Sequence, residues 1–355
     1  MAARITIMAG GTGGHVFPAL AVASELSARG WQISWLGAPD SFESRVVPSH
    51  GFELDTITAH RLRGEGTMAR LLAPLRLVNA MAQAWRVLRR RKPQVVLGMG
   101  GFVTAPGGVV SRLLRIPLVI HEQNAIPGMT NRLLARIATR VLQAFPGSFG
   151  PDGNALTVGN PIRAEIAAMP VPAAIDQRPL RLLVFGGSLG AQALNETVPA
   201  ALALIEPGAR PQVRHQAGRD KHAMTLAAYR EHEVEADVVE FIDDMDQAYR
   251  WADIAICRAG ALTVSELMAA GLPAILVPFP FAVDDHQRVN AGFLSRSGAG
   301  RLLPQSEMTA ESLAQMLTEL LADREELHAM ALRAHGLARR DAALRVADVC
   351  EEVAA

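Results

Sequence analysis

The sequence predicts an α/β protein with two doubly wound domains, each a parallel β-sheet covered by helices. Segments of strand and helix character alternate along the whole 355-residue chain, and this βαβ order is typical of parallel sheets. At roughly 100–200 residues per domain, the length allows two domains. Three glycine clusters each follow a short apolar run, which is where such domains bind the phosphates of nucleotides.

The first half of the chain combines one long helix with shorter elements. The alternation predicts, in order, a strand over 4–9, a helix over 15–29, a strand over 32–36, a helix over 67–92, a strand over 94–97, a helix near 105–114 and a strand over 117–121. Pro74 is expected to kink or break the long helix, because proline lacks the N–H that a helix interior needs.

The pattern restarts after about residue 161. It predicts strands over 181–186, 212–216, 237–241, 253–257 and 274–278, helices near 190–205, 219–231 and 263–270, and further helices to the C-terminus. Gly159-Asn160-Pro161 and the prolines Pro170, Pro172 and Pro179 are typical of a connector. We therefore expect domains over 1–160 and 161–355, with the last helix able to pack back on the first domain.

The glycine clusters each lie between a predicted strand and a predicted helix. They are Gly10-Gly11-Thr12-Gly13-Gly14-His15, Gly98-Met99-Gly100-Gly101 and Gly186-Gly187-Ser188-Leu189-Gly190. Such turns bring backbone N–H groups and a helix N-terminus close to a ligand, a geometry that suits phosphate. Because the first and third clusters are half a chain apart, we expect two Rossmann-like nucleotide domains that face one cleft.

Charge is unevenly distributed, although the formal net charge is zero. Residues 1–160 hold 17 Lys+Arg against 8 Asp+Glu, a net +9, and residues 161–355 hold the other 18 and 27, a net −9. The basic half is expected to meet an anionic partner, unless the two halves simply attract each other. Half of the residues are hydrophobic, which excludes extended disorder.

The two cysteines, Cys257 and Cys350, imply no disulfide framework, and we expect a reducing compartment. Cys257 follows an apolar run and is expected to be a buried strand residue, not a nucleophile. No basic segment leads into an apolar signal core, and no run reaches the ~18 apolar residues that span a bilayer. Any membrane contact is therefore expected to be peripheral.

A dinucleotide-binding site fits the glycine turns poorly. When Gly11-Thr12-Gly13 is aligned with the start of the GxGxxG motif, Val16 stands where the third glycine belongs. The predicted second strand ends at Gly37 without the expected acidic residue. No cluster continues into Gly-Lys-Ser/Thr, so a Walker motif is absent. The sequence therefore disfavours an NAD-dependent dehydrogenase.

Several motifs, spread over most of the chain, fit one family together. They are the first cluster with Pro18, Gly98-Met99-Gly100-Gly101-Phe102, His121-Glu122-Gln123-Asn124, Gly159-Asn160-Pro161-Ile162-Arg163, Gly186-Gly187-Ser188-Leu189-Gly190-Ala191-Gln192, Phe241-Ile242-Asp243-Asp244-Met245, Arg258-Ala259-Gly260-Ala261-Leu262-Thr263-Val264-Ser265-Glu266 and Asp285-His286-Gln287. With these motifs in this order, the chain resembles the UDP-N-acetylglucosamine transferases of bacterial peptidoglycan synthesis.

The resemblance implies a two-domain GT-B fold and an inverting glycosyltransferase. The donor would be UDP-N-acetylglucosamine, and the acceptor undecaprenyl-pyrophosphoryl-N-acetylmuramoyl-pentapeptide (lipid I), which becomes lipid II. It implies that the N-terminal domain holds the acceptor and the C-terminal domain the UDP-sugar, at the cytoplasmic face of the bacterial plasma membrane. It implies no cofactor, and it allows other cell-wall synthesis proteins as partners.

His15 is the expected catalytic residue. A helix N-terminus disfavours a positive charge, so this imidazole is expected to be neutral near pH 7 and able to accept a proton from a sugar hydroxyl. The resemblance implies that it is the general base on the 4-hydroxyl of N-acetylmuramic acid. On the residues alone, a helix cap or a hydrogen bond to substrate stays open. Thr12, Gly13 and Gly14 are expected to contact substrate in the same loop.

The donor is expected to bind to the second half. Ser188 would donate to its pyrophosphate, cap a helix, or do both. Glu266 can complete a capping box with Thr263, whereas the resemblance implies that its carboxylate accepts the ribose hydroxyls of UDP. The other substrate-binding residues that the resemblance implies are Asn124, Arg163, Ile242 (against uracil), Ala261, Leu262, Thr263, Val264, Ser265 and Gln287 (at the donor sugar).

The carboxylate pairs Asp243-Asp244 and Asp284-Asp285 are expected in loops and at helix starts. Adjacent carboxylates point in different directions, and no Cys or His cluster joins them. We therefore expect no metal site and a metal-independent transfer, with divalent ions able only to shield pyrophosphate.

Residues 61–92 form a basic, amphipathic stretch with nine Lys or Arg and one Glu. A basic amphipathic helix with an interfacial tryptophan suits an anionic bilayer. On the residues alone, a core-facing apolar stripe with a solvated basic face is also open. A lipid-linked acceptor favours the bilayer, and no nucleic-acid-binding motif accompanies the stretch. The expected membrane patch comprises Leu72, Leu75, Trp85, Arg86, Arg89 and Arg90.

Two other functions stay open on the sequence. One is another GT-B protein that uses a UDP-sugar, such as a glycolipid synthase or a UDP-sugar epimerase. The other is an inactive nucleotide-binding scaffold at the membrane. The joint presence of His15, Ser188 and Glu266 argues against an inactive scaffold.

Overall fold

The computed structural model describes residues 2–58, 67–151, 153–187, 189–282 and 285–355, with the backbone alone for 67–72. The chain divides into two compact units. The first comprises Met1–Ala164 and Arg339–Ala355, and the second comprises Glu165–Ala338. The division thus falls after Ala164, where the sequence pattern placed it after Asn160, and the last helix goes with the first unit.

The first unit is built on a seven-stranded parallel sheet. Its elements are β1 (Arg4–Met8), α1 (Gly13–Ala28), β2 (Gln32–Gly37), α2 (Phe42–Ser49), β3 (Glu53–Thr56), α3 (Thr67–Arg91), β4 (Val95–Gly98), α4 (Thr104–Leu113), β5 (Leu118–Glu122), α5 (Met129–Leu134), β6 (Arg140–Gln143) and β7 (Leu156–Thr157). The strand order is β3-β2-β1-β4-β5-β6-β7. The apolar run of β4 is buried along its length, as a parallel strand covered on both faces requires.

The second unit contains a six-stranded parallel sheet, and a short helix, α6 (Ala164–Ala167), precedes it. Its elements are β8 (Arg181–Phe185), α7 (Gln192–Ala203), β9 (Gln212–Gln216), α8 (His222–Glu231), β10 (Asp237–Val239), α9 (Met245–Trp251), β11 (Ile254–Cys257), α10 (Ala261–Ala270), β12 (Ala274–Leu276), α11 (His286–Arg296), β13 (Gly300–Leu302), α12 (Ala310–Ala322) and α13 (Arg324–Leu337). The strand order is β10-β9-β8-β11-β12-β13.

The last helix, α14 (Ala342–Ala354), completes the first unit by packing on α1. Its apolar face, which includes Val346 and Cys350, joins the core around β1. Arg29, at the end of α1, donates to the carboxylates of Asp348 and Glu351 at 2.7 and 2.8 Å. The C-terminal segment is therefore a structural part of the N-terminal domain.

Most predicted elements are confirmed within a few residues, and two expectations need correction. Helix α3 continues through Pro74, so the proline does not break it. Helix α10 begins at Ala261, before the predicted start at residue 263. Cys257 lies in β11 and is fully buried, as expected. Among the described residues, no helix is both long enough and apolar enough to cross a bilayer.

Both sheets reverse their strand order beside the first strand of the unit. In the first sheet β1 lies between β2 and β4, with Met8 opposite Gly98. In the second sheet β8 lies between β9 and β11, with Phe185 opposite Cys257. Such switch points, at the carboxyl ends of the strands, are where doubly wound sheets bind ligands. All three glycine clusters therefore follow strands that form a switch point.

Candidate active site

The first and second glycine clusters interlock at the switch point of the first sheet. Gly101 has φ +90°, and a Cβ on it would lie 2.4 Å from the carbonyl oxygen of Gly10. Gly100 has φ +98°, and a Cβ on it would lie 2.8 Å from Cδ2 of His15. Only glycine tolerates both the left-handed conformation and this approach. The glycines of the second cluster are thus required to seat the first loop and its histidine.

His15 is the third residue of α1, and its side chain is half-buried. Thr12 occupies the N-cap position, so His15 does not cap the helix. Nδ1 of His15 lies 3.2 Å from the carbonyl oxygen of Gly10. Because a carbonyl can only accept, Nδ1 carries a proton. In the neutral ring that the sequence predicts, Nε2 is then the unprotonated nitrogen. This tautomer is the one that a general base acting through Nε2 needs.

Thr12, Gly13 and Gly14 directly precede this histidine, at the N-cap and in the first turn of α1. The Thr12 side chain makes no capping hydrogen bond to α1, and both Thr12 and Gly14 are exposed. The predicted contact residues of the first loop are therefore adjacent to His15 and accessible.

Glu122 organises the loop that carries Asn124. Its carboxylate is buried at the end of β5 and accepts from the Asn124 backbone N–H at 2.9 Å and from the Asn124 side-chain amide at 3.2 Å. It also accepts from Gly128 N–H at 3.1 Å and from the Asn131 side chain at 2.9 Å. The sequence pattern assigned no role to Glu122. The sequence signal for Glu122 is its position at the end of an apolar strand, two residues before Asn124.

Arg163 belongs to the first unit and reaches α1. Its guanidinium lies 5.3 Å from the ring centroid of Phe17, which in turn packs edge-on against Phe42. A cation over an aromatic face is attracted by the ring quadrupole. This contact brings Arg163 to the N-terminal part of α1. Phe17, the residue it contacts, follows His15 by two residues in the sequence.

The third glycine cluster packs on the turn that follows β9. Gly190 has φ +65°, and a Cβ on it would lie 1.8 Å from the carbonyl oxygen of Ala217. The Gln216 side-chain amide donates to the carbonyl of Gly187 at 3.0 Å. The chain passes from here into α7 at Gln192. Ser188, the residue predicted to bind the donor pyrophosphate, lies outside the described residues.

A buried chain of side-chain hydrogen bonds supports that turn. Asn195 donates to the carbonyl of Ala217 at 2.9 Å, and its oxygen lies 3.1 Å from Nε2 of His215. The amide oxygen can only accept, so Nδ1 of His215 accepts from the Tyr229 hydroxyl at 2.8 Å. Burial lowers the pKa of His215 to about 3, which keeps the ring neutral. No sequence motif pointed to this chain of bonds.

Glu266 lies inside α10 and does not cap it. The helix has Gly260 at its N-cap, so Thr263 is within the helix and the capping-box alternative is wrong. The Glu266 side chain is buried, and its Oε2 accepts from the Tyr249 hydroxyl at 3.0 Å. Tyr249 comes from α9 and fixes the carboxylate. The predicted pocket residues Ala261, Leu262, Thr263, Val264 and Ser265 form the first turns of the same helix.

Ile242 and Gln287 come from other segments of the second unit. Ile242 is half-buried in the connection between β10 and α9. Gln287 lies at the start of α11, where its side-chain oxygen accepts from the Phe279 N–H at 2.9 Å. Asp244 and Asp285 directly precede α9 and α11, whereas Asp284 lies outside the described residues. Where the structure describes the chain, no group of three His, Cys, Asp or Glu is placed to hold a metal ion.

The apolar stripe of α3 has two different environments. Leu88 is buried in the core and Trp85 packs partly buried against it, with the Arg89 guanidinium 5.3 Å from the Trp85 ring centroid. Leu75 and Val78, nearer the start of the helix, are 69% and 64% exposed. The apolar stripe therefore faces the core in the C-terminal half of α3. Its exposed apolar residues lie nearer the start of the helix. The side chain of Leu72 lies outside the described residues.

The basic end of α3 is partly neutralised. Arg90 and Arg91 both pair with Asp55 of β3, Arg91 through Nε at 2.6 Å. Arg86 and Arg89 are exposed. Of the predicted basic patch, Arg90 is thus engaged in an ion pair within the domain.

Comparison with known proteins identifies the family. The model of the glycosyltransferase family 28 N-terminal domain matches residues 5–143, and that of the family 28 C-terminal domain matches residues 181–346. A protein of Azotobacter vinelandii named UDP-N-acetylglucosamine–N-acetylmuramyl-(pentapeptide) pyrophosphoryl-undecaprenol N-acetylglucosamine transferase is 54% identical, over 100% of this chain and 99% of its own. A protein of the same name from Shewanella denitrificans is 52% identical, over 100% and 98%.

Comparison with solved structures points to the same family. The crystal structure of Acinetobacter baumannii MurG has a TM-score of 0.84 and 40% identity, covering 99% of both chains. A kitacinnamycin glycosyltransferase with a TM-score of 0.72 and 19% identity, covering 100% of both chains, shares the fold. The two parallel-sheet domains are thus of the GT-B class, and the chain belongs to glycosyltransferase family 28 and, within it, to the MurG family of UDP-N-acetylglucosamine–N-acetylmuramyl-(pentapeptide) pyrophosphoryl-undecaprenol N-acetylglucosamine transferases.

Proposed function

We propose that this chain transfers N-acetylglucosamine from UDP-N-acetylglucosamine to lipid I, with inversion at the sugar carbon, and so produces lipid II. The observation that carries the proposal is the position of His15, with Nδ1 on the Gly10 carbonyl at the sheet's switch point, in a chain whose full-length relatives are named for this transfer.

The acceptor belongs to the first unit in this proposal. Nε2 of His15 takes the proton from the 4-hydroxyl of N-acetylmuramic acid as that oxygen attacks C1 of the donor sugar. Thr12, Gly13 and Gly14 bind the acceptor in the first loop, and Asn124 and Arg163 contribute from neighbouring segments. The accessible loop and the carboxylate of Glu122 behind Asn124 support these roles.

The donor belongs to the second unit. As the new bond forms, the bond from C1 to the diphosphate oxygen breaks and its electron pair leaves with UDP. Ser188 and the N–H groups of the third cluster stabilise that charge. Glu266 accepts the ribose hydroxyls, Ile242 packs on uracil and Gln287 binds the donor sugar. The hydrogen bond from Tyr249, which holds one oxygen of Glu266, supports a fixed orientation for ribose binding.

The membrane surface is the third partner that we propose. The exposed Leu75 and Val78 lie on the same helix as the exposed Arg86 and Arg89, and apolar and basic residues together favour an anionic bilayer. The basic residues of α3 and the lipid tail of the acceptor support peripheral binding at the cytoplasmic face of the plasma membrane.

A transfer assay separates this function from the alternatives. The purified chain is incubated with UDP-N-acetylglucosamine, or with other UDP-sugars, and a water-soluble lipid I analogue. We expect transfer of N-acetylglucosamine to the analogue and slower transfer from the other donors. Transfer to a different lipid but not to the analogue would identify a glycolipid synthase. Binding of UDP without any transfer would identify a nucleotide-binding scaffold.

A further inference from the structure

A fully buried carboxylate, that of Glu43, lies behind the first glycine loop. Glu43 is the second residue of α2 and is 0% exposed. Its Oε2 accepts from the Gly11 N–H at 3.0 Å, and its Oε1 accepts from the Ala38 N–H at 3.1 Å. A buried carboxylate is costly unless hydrogen bonds hold it. Glu43 therefore ties the turn after β1 to the turn after β2.

The surrounding glycines leave room for this carboxylate. A Cβ on Gly10 would lie 2.6 Å from Oε1 of Glu43, and a Cβ on Gly37 would lie 2.8 Å from its Cγ. Helix α2 begins with a capping box between Ser41 and Ser44, which fixes its first turn. The N-terminal end of a helix also favours a negative side chain.

The hydrogen bonds continue from Glu43 to the histidine through one peptide unit. Glu43 holds the N–H of Gly11, and the carbonyl of the same Gly10–Gly11 peptide accepts from Nδ1 of His15. A peptide group is planar, so fixing its N–H also fixes the direction of its carbonyl. The Trp35 indole N–H donates to the carbonyl of Ala9 at 2.9 Å and anchors the preceding peptide.

We propose that Glu43 is a positioning residue for His15: through the Gly10–Gly11 peptide it holds the carbonyl that fixes the Nδ1–H tautomer and the direction of Nε2. This inference rests on the proposed role of His15 as the base. Glu43 is fully buried, and its carboxylate is bonded to the backbone N–H groups of Gly11 and Ala38. Its effect is on the orientation of the imidazole, and misplacing a reacting group by about 1 Å costs about 10²-fold in rate.

The principal variant is Glu43→Gln, which keeps the side-chain shape but turns one oxygen into an NH₂ that faces a backbone N–H. We expect kcat for transfer to the lipid I analogue to fall by about 10²-fold, with KM for UDP-N-acetylglucosamine unchanged. The matched control is Ser41→Ala, which weakens the first turn of α2 but keeps the carboxylate on Gly11. A similar loss of kcat in Ser41→Ala would overturn the inference, because loosening of α2 would then explain both.

A double variant tests whether Glu43 acts through His15. If it does, Glu43→Gln lowers kcat in the wild type but causes no further loss in a His15→Ala background. An equal loss in both backgrounds would assign Glu43 a purely structural role and overturn the inference. If His15→Ala itself has near-normal turnover, the proposed base fails and the inference fails with it. If only Glu43→Gln is near normal, the inference alone fails.

One measurement needs no change at position 43. In the wild-type protein labelled with ¹⁵N-histidine, with the His15→Ala spectrum used for assignment, the ¹⁵N shifts at neutral pH should report a proton on Nδ1 of His15. A proton on Nε2 would overturn the inference, even if Glu43→Gln proved unable to fold.

Discussion

His15 is the residue on which the proposed chemistry depends. Its Nδ1 is bonded to a loop carbonyl, so the ring can exchange a proton only through Nε2. We expect His15→Ala to lower turnover by about 10²–10⁴-fold, the usual contribution of a general base. The affinity for UDP should change little, because the residues proposed to bind the donor belong to the other unit. Turnover close to that of the wild type would remove the assignment.

His121 makes the stability of the first domain depend on pH. It is fully buried on β5, donates from Nε2 to the Gly159 carbonyl at 2.8 Å and accepts at Nδ1 from the side chain of Gln123. Burial lowers its pKa from 6.5 to about 4. Between these values the unfolded chain binds a proton that the folded domain does not, so stability falls as the pH drops from about 6.5 to about 4.

The expected loss at pH 5 relative to pH 7 is on the order of 2 kcal/mol from His121 alone. His121→Gln removes this contribution, so the variant should lose correspondingly less than the wild type over the same interval. Urea unfolding in a Trp251→Phe background measures it, because the three remaining tryptophans, Trp31, Trp35 and Trp85, all belong to the first unit. Equal losses in wild type and variant would contradict the assignment.

At the scale of elements, apolar runs and glycine turns identified the long strands and helices but not the short connecting ones. The strand predicted over 181–186 is confirmed as Arg181–Phe185, because four apolar residues in a row lead directly into a glycine turn. Short elements such as α2 and β3 were not predicted. They hold few apolar residues, and packing on the sheet, not their own pattern, stabilises them.

The interlocked glycine loops give a prediction at this scale. Gly101→Ala would place Cβ 2.4 Å from a backbone carbonyl that cannot move aside, so we expect it to distort the first loop and lower turnover as well as stability. Gly51→Ala is the matched control. Gly51 also has a positive φ, +80°, but a Cβ there meets nothing within 4 Å. It should cost only the left-handed strain, about 1–2 kcal/mol.

Thermal unfolding and the transfer assay measure both variants. If Gly101→Ala and Gly51→Ala lose the same stability and both keep wild-type turnover, the contact between the two loops is unimportant.

At the scale of the whole molecule, the uneven charge distribution sets the expected response to membranes. The basic excess lies in residues 1–160, and electrostatic binding to anionic lipid adds about 1 kcal/mol per basic residue at the surface. We expect the double variant Arg86→Glu/Arg89→Glu to bind anionic vesicles more weakly, with transfer to a water-soluble acceptor largely spared. Arg90 is left unchanged because it pairs with Asp55.

The control for net charge is the reversal of Arg230 and Arg301, two exposed arginines of the second unit. Vesicle co-sedimentation at low and physiological salt should separate the two double variants. Equal binding by both would count against the surface of α3 as the membrane contact.

The sequence by itself determined the fold class, the place of the glycine turns and the family, because βαβ periodicity and motif order are local features of the chain. It also predicted His15 as the base, because this residue lies inside such a motif. Only the tertiary structure decided which groups hold these residues. Glu43 and Glu122 act on loops that are brought to them by sheet packing, and Tyr249 reaches Glu266 from another helix. No local pattern contains such a partner, because a buried hydrogen bond depends on where two distant segments meet.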